Sequence, residues 1–382
     1  MKSILLVLHG YPFESMGGVG LLLRDTVRAL AEDNWNVHVL APRQSIRNQL
    51  HTHSEEWGTV HLLDCRTMRW KDSWNNTRST RILRQFFHQH SFSHCHIHHL
   101  SGLPLELSDC IPSSTTLILS LHDFALPCAR GQLYHRDHFM CSGPSLSKCY
   151  QCLQPIRPSL NGIEQRNELV LKLLDRCDRI VAPSQAIRSQ FHSFYPNRCI
   201  DIIQLPLLHE DYTVKAPKEI CDFIFAGSII PSKGLDILLQ AYAKLKTPRP
   251  SLKILGFTPP FPTWNNYVEQ CKQMASIYPN ISWLGSCSHE ETIREMSGCR
   301  TLVLPSVWPE NSPLSIREAS KLGLNIICPS WGGSSELATD ALLWKSRSVW
   351  ELAERMKESL SLQTTQRTHW ISATEYIQTL YS

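Results

Sequence analysis

The stretch TLVLPSVWPENSPLSIREASKLGLNIIC, residues 301–328, has the pattern of a strand, a loop, a helix and a second strand. The apolar run Thr301–Leu304 precedes a polar loop, helical periodicity covers Ser315–Leu322, and a second apolar run follows at Asn325–Cys328. Short apolar strands that alternate with helices are typical of a parallel sheet covered on both faces. The stretch therefore predicts an α/β fold.

The same alternation runs through most of the 382 residues. The other candidate strands are Ile4–Leu8, Val37–Leu40, Val60–Leu63, His94–His98, Thr116–Leu121, Arg179–Ala182, Ile200–Ile203, Phe223–Ala226, Leu252–Leu255 and Ser282–Leu284. The other candidate helices are Gly20–Ala31, Thr80–His88, Gly162–Leu174, Gln185–Phe191, Gly234–Lys244, Trp264–Ile277, Glu290–Met296 and Val349–Ser359. Since a domain usually has about 100–200 residues, the length predicts two domains.

The boundary between the two domains is expected in LPLLHEDYTVKAP, residues 205–217, which contains prolines and no clear period. We therefore predict Rossmann-like domains at 1–210 and 218–360. The tail, 361–382, has a helical pattern.

Composition limits the class of protein. Apolar residues make up 42% and charged residues 19%, so the chain can bury large cores. A net charge of +4 is too small to indicate a nucleic-acid partner, although a phosphate ligand or an anionic membrane fits it. No apolar run is long enough to span a membrane, and the N-terminal MKSILLVLHG reads as a strand and not as a signal peptide. Fourteen cysteines without such a signal favour the cytoplasm, with attachment to the inner face of a membrane left open.

The helix start inside the opening stretch indicates an anion site. Ser312 is a favoured N-cap and Pro313 a favoured first helical residue. The amides of Leu314 and Ser315 would then be unpaired at a helix N-terminus that follows a parallel strand. Such amides, together with the helix dipole, favour a bound negative charge such as a phosphate.

Two glutamates flank that helix start. Glu310 precedes the helix, and Glu318 lies about two turns inside it. A carboxylate at Glu310 would accept hydroxyl groups while the amides hold a phosphate, and Glu318 would reach another part of a long ligand. A nucleotide sugar has such parts, namely sugar hydroxyls, a pyrophosphate and a ribose.

The spacing of Glu310 and Glu318, followed by the Gly-rich CPSWGGSSEL at 328–337, resembles the E-x7-E pattern of the retaining enzymes of glycosyltransferase family 4. The resemblance implies a GT-B architecture, with two Rossmann-like domains that face each other across a cleft and a C-terminal helix that crosses back to the first domain. It implies that the second domain binds the donor, with Glu310 at the sugar, Glu318 at the ribose and Asn311–Ser315 beside them. It assigns the acceptor to the first domain.

A second segment carries the same resemblance. FIFAGSIIPSKGLDILL, residues 223–239, has the pattern of strand, loop and helix. The family usually has G-R-x4-K-G in this loop, where the Arg and Lys hold the pyrophosphate. Gly227 and Lys233 are in place, which implies a catalytic and donor-binding role for Lys233. Ser228 stands where the Arg would be, and this removes a bidentate phosphate contact.

Glycines at Gly17, Gly18 and Gly20 follow the first strand and would let the backbone approach a ligand closely. Their spacing lacks the G-x-G-x-x-G of dinucleotide-binding dehydrogenases, which argues against that class. The resemblance assigns these glycines to a loop that lines the cleft.

Histidines end two of the candidate strands. His122 closes LILSLH, and strand ends of this kind face the ligand crevice in doubly wound sheets. The resemblance implies that His122 lies beside the donor sugar and the reacting centre. His96, His98 and His99 are either metal ligands or, as we favour, cleft-lining or structural residues.

Four cysteines interrupt the α/β pattern within residues 124–155. Cys128, Cys141, Cys149 and Cys152 have the spacing C-x12-C-x7-C-x2-C, and four thiolates suit a structural zinc ion. An iron–sulfur cluster and unliganded or oxidised thiols are the alternatives. Similar insertions occur in some members of the family that the sequence resembles.

Together the residues and the resemblance predict a retaining glycosyltransferase of polysaccharide biosynthesis, with no catalytic cofactor. It would move a sugar from a nucleotide diphosphate to a hydroxyl of a glycan, lipid-linked or small-molecule acceptor. The alternatives are a nucleotide-sugar epimerase of the same architecture and a metal-stabilised binding module. The residues around the cysteines are only mildly basic, which does not favour nucleic acid as the partner.

Overall fold

The computed structural model describes residues 2–10, 18–45, 49–65, 76–136, 139–154, 158–207, 220–258, 262–363 and 370–381. The chain forms two compact units, Met1–Leu208 with Ile371–Ser382, and His209–Trp370. Each unit contains its own largely parallel sheet with helices. The predicted α/β class with two parallel-sheet domains is thereby confirmed.

The first unit is built on an eight-stranded sheet. Its strands are β1 (Ser3–Val7), β2 (Asn36–Gln44), β3 (Leu50–Glu55), β4 (Gly58–Cys65), β5 (His94–Ile97), β6 (Thr116–Ser120), β7 (Arg179–Ala182) and β8 (Asp201–Ile202). Their order is β3-β4-β2-β1-β5-β6-β7-β8, and all neighbours are parallel except β3 and β4. The helices are α1 (Gly18–Glu32), α2 (Thr77–Gln89), α3 (Leu146–Cys152), α4 (Leu160–Arg176) and α5 (Gln185–Phe194).

The second unit has a six-stranded sheet whose neighbours are all parallel. Its strands are β9 (Cys221–Ala226), β10 (Leu252–Leu255), β11 (Ile281–Gly285), β12 (Cys299–Val303), β13 (Asn325–Pro329) and β14 (Leu342–Trp344), in the order β11-β10-β9-β12-β13-β14. The helices are α6 (Leu235–Ala243), α7 (Pro262–Ser276), α8 (His289–Ser297), α9 (Leu314–Leu322), α10 (Ser334–Leu337) and α11 (Val349–Ser359). The chain then returns to the first unit as α12 (Ala373–Tyr381).

Burial of apolar side chains explains the central strands. In the first unit, Ile4 and Leu6 of β1 are fully buried and share a core with Val27 and Leu30 of α1. Burial of such a side chain contributes about 1.5–3 kcal/mol relative to exposure. Helix α12 joins this core through Tyr376, Ile377 and Leu380.

Among the strands and α-helices of the described residues, four lie outside the sequence expectations: β3, β14, α3 and α10. Helix α3 falls in the cysteine-rich segment, which interrupts the α/β pattern of the sequence, and it buries none of its residues. Among the described residues, no helix is long and apolar enough to cross a membrane.

Candidate functional site

In the second unit, Lys233 and Glu310 form an ion pair. Lys233 ends a short 3-10 turn, Pro231–Lys233, between β9 and α6, and Glu310 lies in the loop between β12 and α9. Lys233 Nζ donates to Glu310 Oε1 at 2.5 Å, and the buried Ser306 hydroxyl donates to the same oxygen at 2.6 Å. Both loops follow the carboxyl ends of neighbouring parallel strands, where ligands bind in sheets of this kind.

The carboxylate of Glu310 is only 4% exposed, yet its second oxygen remains available. Both of its side-chain hydrogen bonds use Oε1, and within the described part of the chain Oε2 has no hydrogen-bond partner. A buried carboxylate needs partners for its charge and its lone pairs. The arrangement therefore suits a ligand hydroxyl that donates to Oε2.

Glycines allow two backbone segments to pack closely around this ion pair. Gly332 has φ +72°, and a Cβ there would lie 2.7 Å from the carbonyl oxygen of Glu310. The next residue, Gly333, donates its amide to that same carbonyl at 2.6 Å. At Gly234, with φ +69°, a Cβ would lie 2.1 Å from the carbonyl oxygen of Pro305. Side chains are thus excluded at both positions by conformation and by space.

Three serines with buried hydroxyls lie next to these segments in the sequence. Ser232 precedes Lys233, Ser312 follows Glu310 by two residues, and Ser334 follows the glycine pair. None of the three hydroxyl oxygens has a hydrogen-bond partner among the residues that the structure describes. Because buried polar atoms are nearly always paired in folded proteins, this cluster fits a site that a polar ligand completes.

The start of α9 differs from the sequence expectation. The helix begins at Leu314, and Pro313, in extended conformation, is the N-cap residue, without any side-chain cap. The prediction that Ser312 caps the helix and that Pro313 is its first residue was wrong. Ser312 lies one residue too early for its hydroxyl to act as the cap. The amides of Leu314 and Ser315 still stand in the first turn, where no residue of the same helix can accept them.

Glu318 lies in α9 and is buried. Because the helix begins at Leu314, Glu318 is little more than one turn inside it and not the expected two. Its Oε1 is 2.6 Å from Nε2 of His289, the first residue of α8. Oε2 of Glu318 has no partner among the described residues. Sequence reasoning missed His289, because it lies 29 residues away and belongs to no recognisable motif.

The loop after β9 holds Gly227 and Ser228. Both residues are partly exposed, and the backbone around them is fixed by strand-like hydrogen bonds. Gly227 N donates to Leu255 O at 3.1 Å, and Ile229 N donates to Phe257 O at 2.9 Å. Ser228 therefore presents a short hydroxyl from a rigid loop.

In the first unit, His122 lies two residues after the end of β6 and contacts His98, which directly follows β5. His98 Nδ1 and His122 Nε2 are 2.9 Å apart, and the two rings are stacked. Burial lowers the pKa of His98 well below its usual value, so this ring is neutral. Its Nε2 is buried and has no partner in the described part of the chain. Buried N–H groups without a partner are rarer than unpaired acceptors, so we assign the proton of His98 to Nδ1, from which it donates to His122.

Neighbouring residues complete this histidine cluster. His99 Nε2 bonds to Asp123 Oδ2 at 2.8 Å, and the Ala125 amide donates to the other oxygen of Asp123 at 2.7 Å. Burial opposes the charges, but the pair's mutual attraction and hydrogen bond outweigh it, so the pKa of His99 is raised and that of Asp123 is lowered. His96 bonds to Tyr381 of α12 at 2.6 Å. These contacts within the first unit support the structural reading of His96, His98 and His99 over the metal-ligand reading.

Of the three predicted glycines, Gly18 and Gly20 lie in the first turn of α1 and not in a loop. Gly17 lies outside the described residues.

The four cysteines lie in one neighbourhood. Burial raises the pKa of the Cys149 and Cys152 thiols, and Cys128 and Cys141 add to the rise. However, no group of three or more His, Cys, Asp or Glu among the described residues could hold a metal ion. The Cys141 thiol instead donates to Gly143 O at 3.3 Å. The predicted zinc ion is therefore not supported.

Comparisons with known families cover nearly the whole chain. A family model described as Glycosyltransferase Family 4 matches residues 16–206, half of the chain. A second model, described as Glycosyl transferases group 1, matches residues 213–375. These two segments correspond to the two units.

Individual relatives share little sequence identity with the chain. The chain is 21% identical over 211 residues to the lipopolysaccharide 1,2-N-acetylglucosaminetransferase of Salmonella typhimurium, a match of 51% of this chain and 55% of that protein. The chain thus spans about half the length of this curated relative. Similar solved structures include sucrose-phosphate synthase from Thermosynechococcus elongatus, with a TM-score of 0.72, 16% identity and coverage of 100% of this chain and 95% of that one. Another is HepE from Anabaena in complex with UDP, with a TM-score of 0.67, 16% identity and coverage of 100% and 98%. At such identities the likeness shows the fold.

Proposed function

The chain belongs to glycosyltransferase family 4, and from that premise we propose that it transfers a sugar from a nucleotide diphosphate to an acceptor hydroxyl with retention of configuration. The observation that carries the proposal is the Lys233–Glu310 pair, which stands at the carboxyl ends of two neighbouring strands. A cation and a buried carboxylate side by side are suited to a ligand that has both a phosphate and hydroxyl groups.

Departure of the diphosphate is the chemical problem that the second unit would solve. Lys233 Nζ offers a positive charge, and the amides at the start of α9 offer donors for the phosphate oxygens. Fixed donors of this kind stabilise the negative charge that develops on a leaving group. In place of the missing Arg, Ser228 and the unpaired hydroxyls of Ser232 and Ser312 supply further donors.

Recognition of the donor's hydroxyls would fall to the two glutamates. We assign Glu310 Oε2 to a sugar hydroxyl and Glu318 Oε2 to the ribose. His289 holds the other oxygen of Glu318 and so fixes the orientation of that carboxylate. A hydrogen bond to a charged group contributes about 1.5–3 kcal/mol, enough to select a ligand with hydroxyls in the right places.

In the first unit, we propose that His122 serves the reacting sugar. His98 donates to Nε2 of His122, so a neutral His122 carries its own proton on Nδ1 and donates from that atom. Asp123, the carboxylate next to His122 in the chain, is already engaged by His99 and the Ala125 amide. We therefore favour attack of the acceptor on the same face as the departing phosphate over a covalent intermediate.

For the acceptor, we propose a hydroxyl of a cell-surface glycan precursor, lipid-linked or free. The Salmonella relative is named for transfer to lipopolysaccharide, which is consistent with this class. An epimerase is not favoured, because both family models describe glycosyltransferases. A zinc ion at the four cysteines is not part of the proposal.

The test is a panel of nucleotide sugars that differ in base and sugar, assayed for binding and for slow hydrolysis without an acceptor. We expect one donor to bind and to release its nucleotide diphosphate slowly, and the Glu310→Gln variant to release it more slowly still. Release of an epimerised nucleotide sugar would refute transfer, and failure of every donor to bind would refute the donor site.

A further inference from the structure

An apolar groove lies on the second unit, away from the Lys233–Glu310 pair. It has a volume of about 430 Å³ and is formed by the C-terminal ends of α6 and α7 and the start of α11. Leu239, Met274, Ile277 and Trp350 are among its lining residues. Lys233 stands just before the N-terminal end of α6, whereas the groove lies at the C-terminal end. The nine residues between these two ends span roughly 14 Å.

Two large apolar side chains at this groove face solvent. Ile277 is 71% exposed and Trp350 is 63% exposed. Large apolar side chains that stand together on a surface mark a place of interaction. Tryptophan is particularly frequent where a protein meets the polar boundary of a lipid bilayer.

Positive charge surrounds the same groove. Lys244 Nζ lies 4.6 Å from the centre of the Trp350 ring, Arg249 lies 5.0 Å from that of Tyr278, and Lys246 is exposed between them in the chain. None of these three cations forms an ion pair with a described residue. The segment KLKTPRP, residues 244–250, contains no acid.

The acids on the flanking helices do not neutralise this charge. Glu269 of α7 pairs with Lys272 at 3.0 Å, and Glu354 of α11 pairs with Lys357 at 2.7 Å. Glu351 accepts the amides of the loop that precedes α11, and its single negative charge does not cancel the three positive ones. The groove therefore combines exposed apolar side chains with a net positive rim.

We propose that this groove docks the protein on an anionic lipid surface. Ile277 and Trp350 would enter the headgroup region, and Lys244, Lys246 and Arg249 would contact the negative headgroups. The proposal does not rest on the transferase activity, because vesicle binding is measured without any donor or acceptor.

The test is sedimentation of the full chain with vesicles of phosphatidylcholine alone and of an equal mixture of phosphatidylcholine and phosphatidylglycerol. We expect binding to the mixed vesicles only. The variant Lys244→Gln/Lys246→Gln/Arg249→Gln should bind about a hundredfold more weakly, at about fivefold for each cation. Ile277→Gln/Trp350→Gln should also lose binding.

Two control variants test whether a loss of vesicle binding is specific to the groove. Ile220→Gln replaces a residue that is 65% exposed outside the groove, and Lys357→Gln removes a cation that is already paired. Both should bind vesicles like the unmodified protein. Failure of the protein to bind mixed vesicles, or an equal loss in the controls, overturns the proposal. A dimer in sedimentation velocity that Trp350→Gln abolishes would also overturn it, since a second copy would then occupy the groove.

Discussion

The replacement Lys233→Met tests the proposed phosphate contact directly. It removes the positive charge but keeps a long apolar side chain, so the 3-10 turn before α6 should persist. A hydrogen bond to a charged group contributes about 1.5–3 kcal/mol, and 1.4 kcal/mol is tenfold in affinity. We therefore expect the affinity for a nucleoside diphosphate to fall by about tenfold to a hundredfold.

The same replacement should reduce stability. Glu310 is buried and, of its partners in the described part of the chain, would keep the Ser306 hydroxyl alone. Breaking a fully buried ion pair costs about 3–5 kcal/mol. Because the Lys233 side chain is 18% exposed, solvent screens this pair in part, and we expect a loss of about 1–3 kcal/mol in the free energy of unfolding.

Glu310→Gln is the matched control. It preserves the shape of the side chain and an oxygen for Ser306, but it removes the charge that Lys233 now neutralises. Lys233 would then be more available to phosphate, so the affinity for the diphosphate should stay the same or rise while turnover falls. In Glu310→Gln the binding of the diphosphate in the ground state should lose little free energy. The transition state, by contrast, should lose a contact to the reacting sugar.

Isothermal titration calorimetry with uridine and guanosine diphosphates, together with urea unfolding of both variants and of the double variant, measures these effects. An unchanged diphosphate affinity in Lys233→Met would refute the phosphate contact. Equal losses of diphosphate affinity in both single variants would refute the placement of Glu310 at the sugar. The double variant gives the coupling between the two side chains.

Three further predictions concern other parts of the molecule. Glu318→Ala should weaken nucleotide binding about tenfold or more by removal of a charged acceptor for the ribose, and calorimetry that shows the same affinity would argue against that role. His122→Ala should spare diphosphate binding and reduce turnover, so initial rates that match the unmodified protein would show that this side chain takes no part in the reaction. Burial lowers the pKa of His38 to about 4 and of His61 to about 3, whereas the unfolded chain binds protons near 6.5, so stability should fall as the pH drops from about 6.5 to 4. Melting temperatures across that range check the last prediction, and a profile that His61→Gln does not flatten would contradict it.

The central strands could be predicted from the sequence because they are buried. Strand β1 has the sequence SILLV, and four of its five residues are buried. A buried strand of this kind is visible in the sequence as a run of apolar residues. Strand β3, LHTHSE, was missed because it is an edge strand with no fully buried residue. Helix α3 buries nothing, so it leaves no apolar period to read. Elements that bury little carry little sequence signal.

The candidate site, too, could be predicted from the sequence only in part. The positions of Lys233 and Glu310 in their loops could be read from motifs, but their direct contact joins residues 77 positions apart. The contact of His122 with His98 likewise depends on which strands are neighbours, and that of Glu318 with His289 depends on the packing of α8 beside α9. Strand order is a property of the whole sheet, and a local pattern does not specify it. The cap assigned to Ser312 failed for a local reason, since the helix starts one residue later than the sequence suggested.

The return of α12 to the first unit bears on how the protein folds during synthesis. Tyr376, Ile377 and Leu380 complete a core whose other members, such as Ile4 and Leu30, precede residues 209–370 in the chain and are synthesised before them. Residues 209–370 must therefore leave the ribosome before the first unit can close that core. Until then its apolar surface stays open, and the nascent chain should depend on a chaperone or on slow elongation more than a protein whose domains are each encoded by one continuous segment.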